Sequence, residues 1–159
     1  PLDQIAEVTE RVGTLIREEQ NAELEAMTES NRVEGEAYLA SNAEKDGVMV
    51  TASGLQYEIL REGEPGGAQP LPTNQVTIHY RGTLLDGTEF DSSYSRGQPA
   101  TFGVTGVIPG FSEGLQLMTV GSQYRLVIPS QIAYGPQGAG SDIGPNATLI
   151  FEIELIEVL

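Results

Sequence analysis

The spacing of apolar residues changes near residue 47, and this change divides the chain into two parts with different local structure. Residues 1–47 contain no proline after Pro1 and are rich in Glu and Ala. Apolar residues recur there at steps of three and four, the spacing of one helix face. They are Ile5, Val8, Val12, Leu15, Ala22 and Ala26; Glu19 interrupts the series, and the stripe weakens after Leu15. Glu7 and Arg11 add a favourable i,i+4 pair. The sequence therefore predicts a long amphipathic helix that stops near Gly47.

The apolar stripe of this helix needs a surface that buries it. The helix can fold back onto the rest of the chain, form the seam of a dimer, or act as an arm that docks on another helix. Gly13 and Gly35 lie within it, and each is expected to cost about 1 kcal/mol of helix stability relative to alanine. The sequence leaves the choice of partner open.

After residue 47, Pro and Gly become frequent and apolar residues alternate with their neighbours. This alternation is typical of strands with one buried face. Such strands are predicted at 55–60, 76–81, 125–130 and 149–156. An Asp-Gly hairpin turn is expected at 85–88, and 109–120 is the one helical candidate. The second part is therefore predicted to be an antiparallel sheet with a short helix, an α+β domain.

Composition excludes several classes of function. The chain has 23 acidic and 8 basic residues, and a net charge of -15 disfavours binding to nucleic acid. Cysteine is absent, so no disulfide, thiolate nucleophile or Cys/His zinc site is expected. Asp86 and Asp91 are not spaced as calcium ligands, and no metal or cofactor is predicted. The absence of thiols suits a reducing cytosol and an oxidising periplasm equally. Because the chain begins with Pro1, removal of a signal peptide is compatible with the sequence.

The stretch from Gly110 to Gly114 matches the G-x-S-x-G pattern of a serine hydrolase, with Ser112 at its centre. In that class the acid and the histidine follow the serine along the chain. The single histidine, His79, precedes Ser112, and its place between predicted core positions puts it on the surface. A serine hydrolase is therefore strongly disfavoured and ranks only third among the hypotheses, and Ser112 is expected in the first turn of a helix.

Four further stretches occur in a specific order. They are VTIHYRGTLLDGTEFDSSYSRGQPATF (76–102), VIPGFSEGLQLMTVG (107–121), LVIPSQIAYG (126–135) and IGPNATLIFEIELIEVL (143–159). Together they resemble the FKBP-type peptidyl-prolyl cis-trans isomerases, and the resemblance covers residues 50–159. With its preceding helix, the chain resembles the bacterial macrophage infectivity potentiator subfamily, whose members are typically dimers.

The resemblance implies a bent antiparallel sheet wrapped on a short helix, preceded by a long N-terminal helix. Residues 1–47 would be a helical arm, part or remnant of a dimerisation region, and residues 48–159 would be the isomerase domain. The glycine-rich segment 135–144 would be a mobile flap beside the pocket.

The family's pocket lies between the short helix and the sheet. The resemblance implies Asp91, Tyr134 and Tyr80 as catalytic residues, with Arg96 in support. The substrate-binding residues would be Phe90, Phe102, Val107, Ile108, Phe111, Ile143 and Phe151. In the family, the aspartate's partners are the tyrosine and arginine that correspond to Tyr80 and Arg96. The backbone N–H of Ile108 and the Tyr134 hydroxyl would hold the substrate's carbonyl groups.

The function that the resemblance implies is rotation of X-Pro bonds in folding polypeptides, without a covalent intermediate or a cofactor. Phe111 stands where the family usually has tryptophan, which leaves open a non-catalytic chaperone or adaptor that binds unfolded chains. Expected partners are proline-containing polypeptides, rapamycin-like macrolides as inhibitors, and a second copy of the chain through the helix. By analogy, the expected location is the periplasm or cell envelope, with the cytoplasm as the alternative.

Overall fold

The computed structural model describes the backbone of residues 2–139 and 143–159, and the side chains from residue 18 onward within those ranges. A long helix, α1 (Leu2–Ala43), precedes a domain built on one sheet. The strands are β1 (Val48–Val50), β2 (Gln56–Arg61), β3 (Gln75–Thr83), β4 (Glu89–Ser92), β5 (Ala100–Gly103), β6 (Gln123–Ile128) and β7 (Leu149–Val158). The domain's helices are α2 (Ser93–Arg96) and α3 (Pro109–Leu117), with 3₁₀ turns at Ser130–Ile132 and Gly135–Gln137. This architecture confirms the predicted α+β class.

The sheet has the strand order β1-β2-β6-β7-β3-β4, and β5 also pairs with β3. All of these pairings are antiparallel. In β3, Val76, Ile78 and Tyr80 are buried, whereas the residues between them are only half-buried. Tyr80 lies opposite Ile153 of β7. The alternation that predicts these two strands therefore also identifies the face that packs into the core.

Helix α3 lies close to β6 because it carries glycine where the two elements meet. Gly110 and Gly114 are four residues apart, so they share one face of the helix. A Cβ atom on Gly110 would overlap the side chain of Ile128, and one on Gly114 would overlap Leu126. The glycines of the G-x-S-x-G pattern thus serve packing. Ser112 lies in the first turn of α3, as expected, and its N–H donates to the Ile108 carbonyl (3.0 Å).

Helix α1 ends at Ala43, four residues before the predicted stop at Gly47. The chain then leaves the helix through a turn in which the Lys45 N–H donates to the Asn42 carbonyl (3.1 Å). Gly47 has a φ of 87°, a conformation that suits glycine, and it leads directly into β1. The predicted apolar stripe before residue 18 and the Glu7–Arg11 pair lie outside the described side chains. Among the described residues, no helix has the combination of length and apolarity that crossing a bilayer requires.

The C-terminal end of α1 packs on the outer face of the sheet through polar contacts. The Asn42 side-chain amide donates to Gln56 Oε1 (2.8 Å), and Gln56 Nε2 donates to the Leu39 carbonyl (2.8 Å). One turn earlier, Arg125 Nη2 donates to the Tyr38 hydroxyl (3.1 Å). These contacts, which we call the helix–sheet contact, bury both Asn42 and Gln56. In this part of the chain, α1 folds back on the domain.

A second contact of α1 explains why a glycine occurs inside the helix. Gly35 is buried, and a Cβ atom there would overlap Thr148 Oγ1 in the segment that precedes β7. The helix thus gives up about 1 kcal/mol of intrinsic stability at Gly35 and gains close packing.

We expect Gly35→Ala to lower the free energy of unfolding by about 1–3 kcal/mol, because overpacking outweighs the better helix propensity of alanine. Urea unfolding followed by circular dichroism measures this change. Thr148→Ala removes the overlapping oxygen, so the double variant should recover most of the loss when it is compared with Thr148→Ala alone. A stabilised Gly35→Ala variant would show that the packing at this position is loose.

Candidate functional site

A solvent-accessible pocket of about 440 Å³ lies between α3 and the sheet. Its lining comes from β3, β4, β5, α3 and β7 and from two loops. The lining residues are Tyr80, Asp91, Phe102, Gly106, Val107, Ile108, Phe111, Tyr134 and Phe151. The structure therefore brings together eight of the eleven site residues that the sequence predicts. It places Arg96, Phe90 and Ile143 elsewhere, as described below.

Aromatic rings form the base of the pocket. Phe111, on α3, meets Phe151, on β7, edge to face, with ring centroids 4.9 Å apart. Tyr80 packs edge to face on Phe111 at 6.1 Å and on Phe102 at 5.8 Å. Perpendicular rings of this kind fix one another's orientation. Because Phe111, Phe151 and Tyr80 are almost fully buried, the base of the pocket is apolar and rigid.

One polar group of side chains lies at the edge of this apolar surface. The Tyr80 hydroxyl donates to Asp91 Oδ2 (2.5 Å), and Arg96 Nη1 donates to Asp91 Oδ1 (2.7 Å). Arg96 Nη2 also donates to the Tyr80 hydroxyl oxygen (2.9 Å). We call these three residues the Asp91 triad. The closed set of hydrogen bonds leaves each side chain with one orientation, and it sets a carboxylate beside the aromatic pocket.

The triad holds its members in defined charge states. Partial burial acts to raise the pKa of Asp91, but the hydrogen bonds from Tyr80 and Arg96 outweigh it and hold the pKa below the usual range. Burial raises the pKa of Tyr80, and its hydrogen bond to Asp91 raises it further. The hydrogen bonds to Tyr80 and Asp91 raise the pKa of Arg96. At neutral pH, Asp91 is therefore a carboxylate and Tyr80 a protonated donor.

Helix α2 is one turn long, and it places Arg96 over Tyr80. Ser92 caps its start by accepting from the Ser95 N–H (3.4 Å), and Gly97, with φ 69°, ends it. Ser93 is fully buried; its hydroxyl accepts from the Tyr80 N–H (2.8 Å) and so ties α2 to β3. Sequence reasoning missed the role of Ser93, because a Ser-Ser pair after a strand gives no signal beyond a turn.

Two further residues, Ile108 and Tyr134, bring polar groups to the rim of the pocket. Ile108 is the N-cap of α3, and its carbonyl accepts from the Ser112 N–H, which fixes the peptide unit that links Ile108 to Pro109. Tyr134 lies between the two 3₁₀ turns, and its ring is 40% exposed. The side chain is therefore accessible from the solvent side.

The remaining predicted positions lie outside the lining. Phe90 packs behind Phe151, with ring centroids 5.5 Å apart, and so supports the base of the pocket. Ile143 is 6% exposed and belongs to the same hydrophobic cluster as Phe111 and Phe151, but it does not line the pocket, so its contact with substrate stays a prediction. Its backbone pairs with that of Ala139 in an isolated antiparallel bridge. Within the predicted flap, residues 140–142 lie outside the described part of the chain.

His79 lies on the opposite face of β3 from the pocket. It is half-buried, its ring stacks on Tyr94 with centroids 4.7 Å apart, and its Nδ1 pairs with the Ser93 hydroxyl (2.9 Å). The expected outward orientation is therefore correct, although the ring is more covered than a surface position suggests. Since Ser112 lies in α3, the two residues of a supposed hydrolase site are in different parts of the domain.

We expect Asp91 to stabilise the folded chain at neutral pH and to lose this effect in acid. Its folded-state pKa lies below the ordinary value of about 3.9, so the contribution is complete above that value. It disappears as the pH falls through the folded-state pKa. Asp91→Asn should therefore unfold more easily than the parent chain at neutral pH, and the difference should shrink below about pH 4. Urea unfolding over this range is the measurement, with Asp46→Asn, in an exposed turn, as control; a gap that widens in acid contradicts the assignment.

Comparison with known proteins agrees with the fold. Residues 66–156 match the family described as FKBP-type peptidyl-prolyl cis-trans isomerase. Residues 2–59 match the domain amino terminal to FKBP-type peptidyl-prolyl isomerase. Together the two matches cover α1 and almost the whole sheet.

Individual relatives are also similar over most of the chain. The chain is 47% identical over 156 residues to the FKBP-type peptidyl-prolyl cis-trans isomerase FkpA of Aeromonas hydrophila, covering 98% of this chain and 57% of that protein. It is 55% identical over 126 residues to the FKBP-type 22 kDa peptidyl-prolyl cis-trans isomerase of Escherichia coli, covering 79% and 60%. The outer membrane protein MIP of Legionella longbeachae is 45% identical over 156 residues, covering 98% and 66%. The chain thus spans less than two thirds of the length of these relatives.

The crystal structure of FkpA from Escherichia coli superposes with a TM-score of 0.91 at 37% identity, covering 97% of this chain and 71% of that one. A peptidyl-prolyl cis-trans isomerase from Pseudomonas syringae gives a TM-score of 0.76 at 40% identity, covering 82% and 95%. Both comparisons extend the likeness from the sequence to the arrangement of helix and sheet. From its fold, its pocket and these matches, the chain belongs to the FKBP-type peptidyl-prolyl cis-trans isomerase family.

Proposed function

We propose that the chain accelerates cis-trans isomerisation of X-Pro bonds in unfolded or folding polypeptides. The observation that carries this proposal is the apolar aromatic pocket with the Asp91 triad at its edge, in a chain of this family. Rotation about the X-Pro bond is opposed by amide resonance, with a barrier of about 20 kcal/mol and a timescale of roughly 10–100 s. A catalyst needs no nucleophile; it has to bind the twisted amide more tightly than either planar form.

The apolar base of the pocket would provide such a preference. A twisted amide has lost resonance and with it much of its charge separation, so it depends less on water than the planar amide does. Proline would pack against Phe111 and Phe151, which are almost fully buried. An apolar surface at this place therefore favours the twisted state over the planar ground state.

The polar residues would orient the substrate. The Ile108 N–H and the Tyr134 hydroxyl would donate to substrate carbonyls on either side of the pocket. Asp91 would act from the edge, where its carboxylate keeps the Tyr80 hydroxyl fixed and faces the amide that rotates. No step in this scheme moves a proton or forms a covalent bond, so no cofactor is needed.

In this proposal the chain consists of two units. Residues 1–47 are a helical arm, and residues 48–159 are the isomerase domain. Residues 18–27 of the arm are exposed in the monomer, which suits contact with another chain. A homodimer formed through α1 and inhibition by rapamycin-like macrolides are parts of the proposal. The proposal also includes a location in the periplasm or cell envelope, because one relative is named an outer membrane protein.

The test is the cis-to-trans rate of an X-Pro tetrapeptide with and without rapamycin. Acceleration that the macrolide abolishes supports the isomerase and its pocket. Ser112→Ala serves as the matched control, because a neighbour of Phe111 that does not line the pocket should leave the rate unchanged. No acceleration by a folded sample would contradict the proposal and favour a chaperone or adaptor that only binds unfolded chains.

A further inference from the structure

Helix α1 contacts the segment 143–148, which leads into β7. The Asn31 side-chain amide donates to the Pro145 carbonyl (2.8 Å), and Pro145 is buried. Gly144 lies against the same part of the helix, since a Cβ atom there would be 3.1 Å from Asn31 Nδ2 and 3.3 Å from Met27 Sδ. This contact is separate from the helix–sheet contact, and it attaches the middle of α1 to a loop of the domain.

The same segment is attached to the rim of the pocket. The Asn146 N–H donates to the Gly135 carbonyl (2.9 Å), and Gly135 directly follows Tyr134. Ala139 and Ile143 exchange two backbone hydrogen bonds, at 2.9 and 3.1 Å. Segment 143–148 thus lies between α1 and the 3₁₀ turn Gly135–Gln137, which directly follows Tyr134, and it has hydrogen bonds on both sides.

Asn146 holds a strained position at the centre of this chain of contacts. Its φ of 55° is the only positive value among the described non-glycine residues. Asparagine tolerates this conformation better than most residues, but it is still uncommon and is held by surrounding contacts. Here the backbone bond to Gly135 acts on one side, and the side-chain amide lies 3.5 Å from the Thr28 carbonyl of α1 on the other.

We infer that Asn31 and Asn146 are positioning residues for Tyr134, so that α1 supports the isomerase pocket as well as extending from it. Tyr134 is 40% exposed, so its place depends on the backbone of the 3₁₀ turn more than on packing of its ring. Loss of the Asn31 bond frees segment 143–148 and with it the carbonyl of Gly135. The Tyr134 hydroxyl then spends less time where a substrate carbonyl can accept from it. This inference rests on the proposed function, in which Tyr134 holds substrate.

Asn31→Asp tests this inference, because the side chain keeps its shape but cannot donate to the Pro145 carbonyl. We expect kcat/KM for an X-Pro peptide to fall about threefold to tenfold. The change should be mainly in KM, since a contact made in ground and transition states alike affects binding. Asn146→Gly retains the positive φ but removes the side-chain contact, so it should act in the same direction. Asn21→Asp, an exposed change on the same helix, is the matched control.

A second measurement does not depend on activity. It distinguishes a change in the position of Tyr134 from a general loosening of the domain. With 3-fluorotyrosine at all six tyrosines, the fluorine NMR signal of Tyr134 can be assigned by its absence in Tyr134→Phe. The signal should move in Asn31→Asp and stay in place in Asn21→Asp. An unmoved Tyr134 signal overturns the inference, and so does an equal shift of the core residues Tyr80 and Tyr124. If the parent chain is inactive, the proposed function fails, and the fluorine signal alone decides whether α1 positions Tyr134.

Discussion

Replacing Asp91 by alanine is expected to lower kcat/KM for an X-Pro peptide by about 10- to 100-fold, the range for hydrogen bonds to a charged group. The Asp91 carboxylate accepts from both Tyr80 and Arg96, so its loss leaves two donors at the pocket's edge without their acceptor. Tyr80 then rotates more freely, and the guanidinium charge of Arg96 is no longer balanced. Both changes act where the substrate's amide would lie.

Comparing two variants of Asp91 separates the contribution of the carboxylate's charge from that of its shape. Asp91→Asn keeps an oxygen acceptor but removes the charge, and its activity should lie between those of the parent and Asp91→Ala. Asp46→Ala, an exposed change in the turn after α1, is the control and should leave activity unaltered. The measurement is the rate of peptide isomerisation with folded samples of each variant. Equal activity of Asp91→Ala and the parent would remove Asp91 from the site.

The second large effect is expected at the base of the pocket, where Phe111→Ala should lower the free energy of unfolding by about 3–5 kcal/mol. The ring is 4% exposed and packs edge to face on both Tyr80 and Phe151. Its removal leaves a cavity and also frees the rings that it orients. Isomerase activity should disappear with it, because proline loses the surface on which it packs.

Controls for Phe111 have to separate stability from activity. Leu71→Ala removes a large side chain that is 61% exposed, so its effect on urea unfolding should be small. Phe111→Leu keeps the pocket apolar and should retain more stability than Phe111→Ala while still losing the flat ring. Activity of a folded Phe111→Ala sample equal to that of the parent would contradict the role of the ring in substrate binding.

The sequence predicts the long strands well and the short ones poorly. β3 and β7 carry nine and ten residues, and their alternation is visible because one face is buried throughout. β1, β4 and β5 have only three or four residues, too few to display a period. The docking of α1 is equally hidden, because it uses Asn42 and Gln56, which look solvent-exposed in any hydrophobicity pattern.

The site shows a similar division. The positions of Tyr80, Phe111 and Phe151 follow from strands and a helix that the sequence predicts. The family resemblance, rather than spacing, relates Arg96 to Asp91, because their contact depends on the single turn of α2. The sequence pattern does not show that Ile143 pairs with Ala139 and lies in the core, because the segment around these residues is rich in glycine and has no apolar period.

The polar nature of the helix–sheet contact has a thermal consequence. Amides, hydroxyls and carbonyls that separate there can bind water instead, so opening exposes little new apolar surface. The heat-capacity change of opening is then small, and the association is driven by enthalpy. An enthalpic contact weakens steadily on warming, whereas the apolar core of the domain resists until global unfolding. The helix–sheet contact is therefore expected to loosen at temperatures where the sheet and its core are still folded.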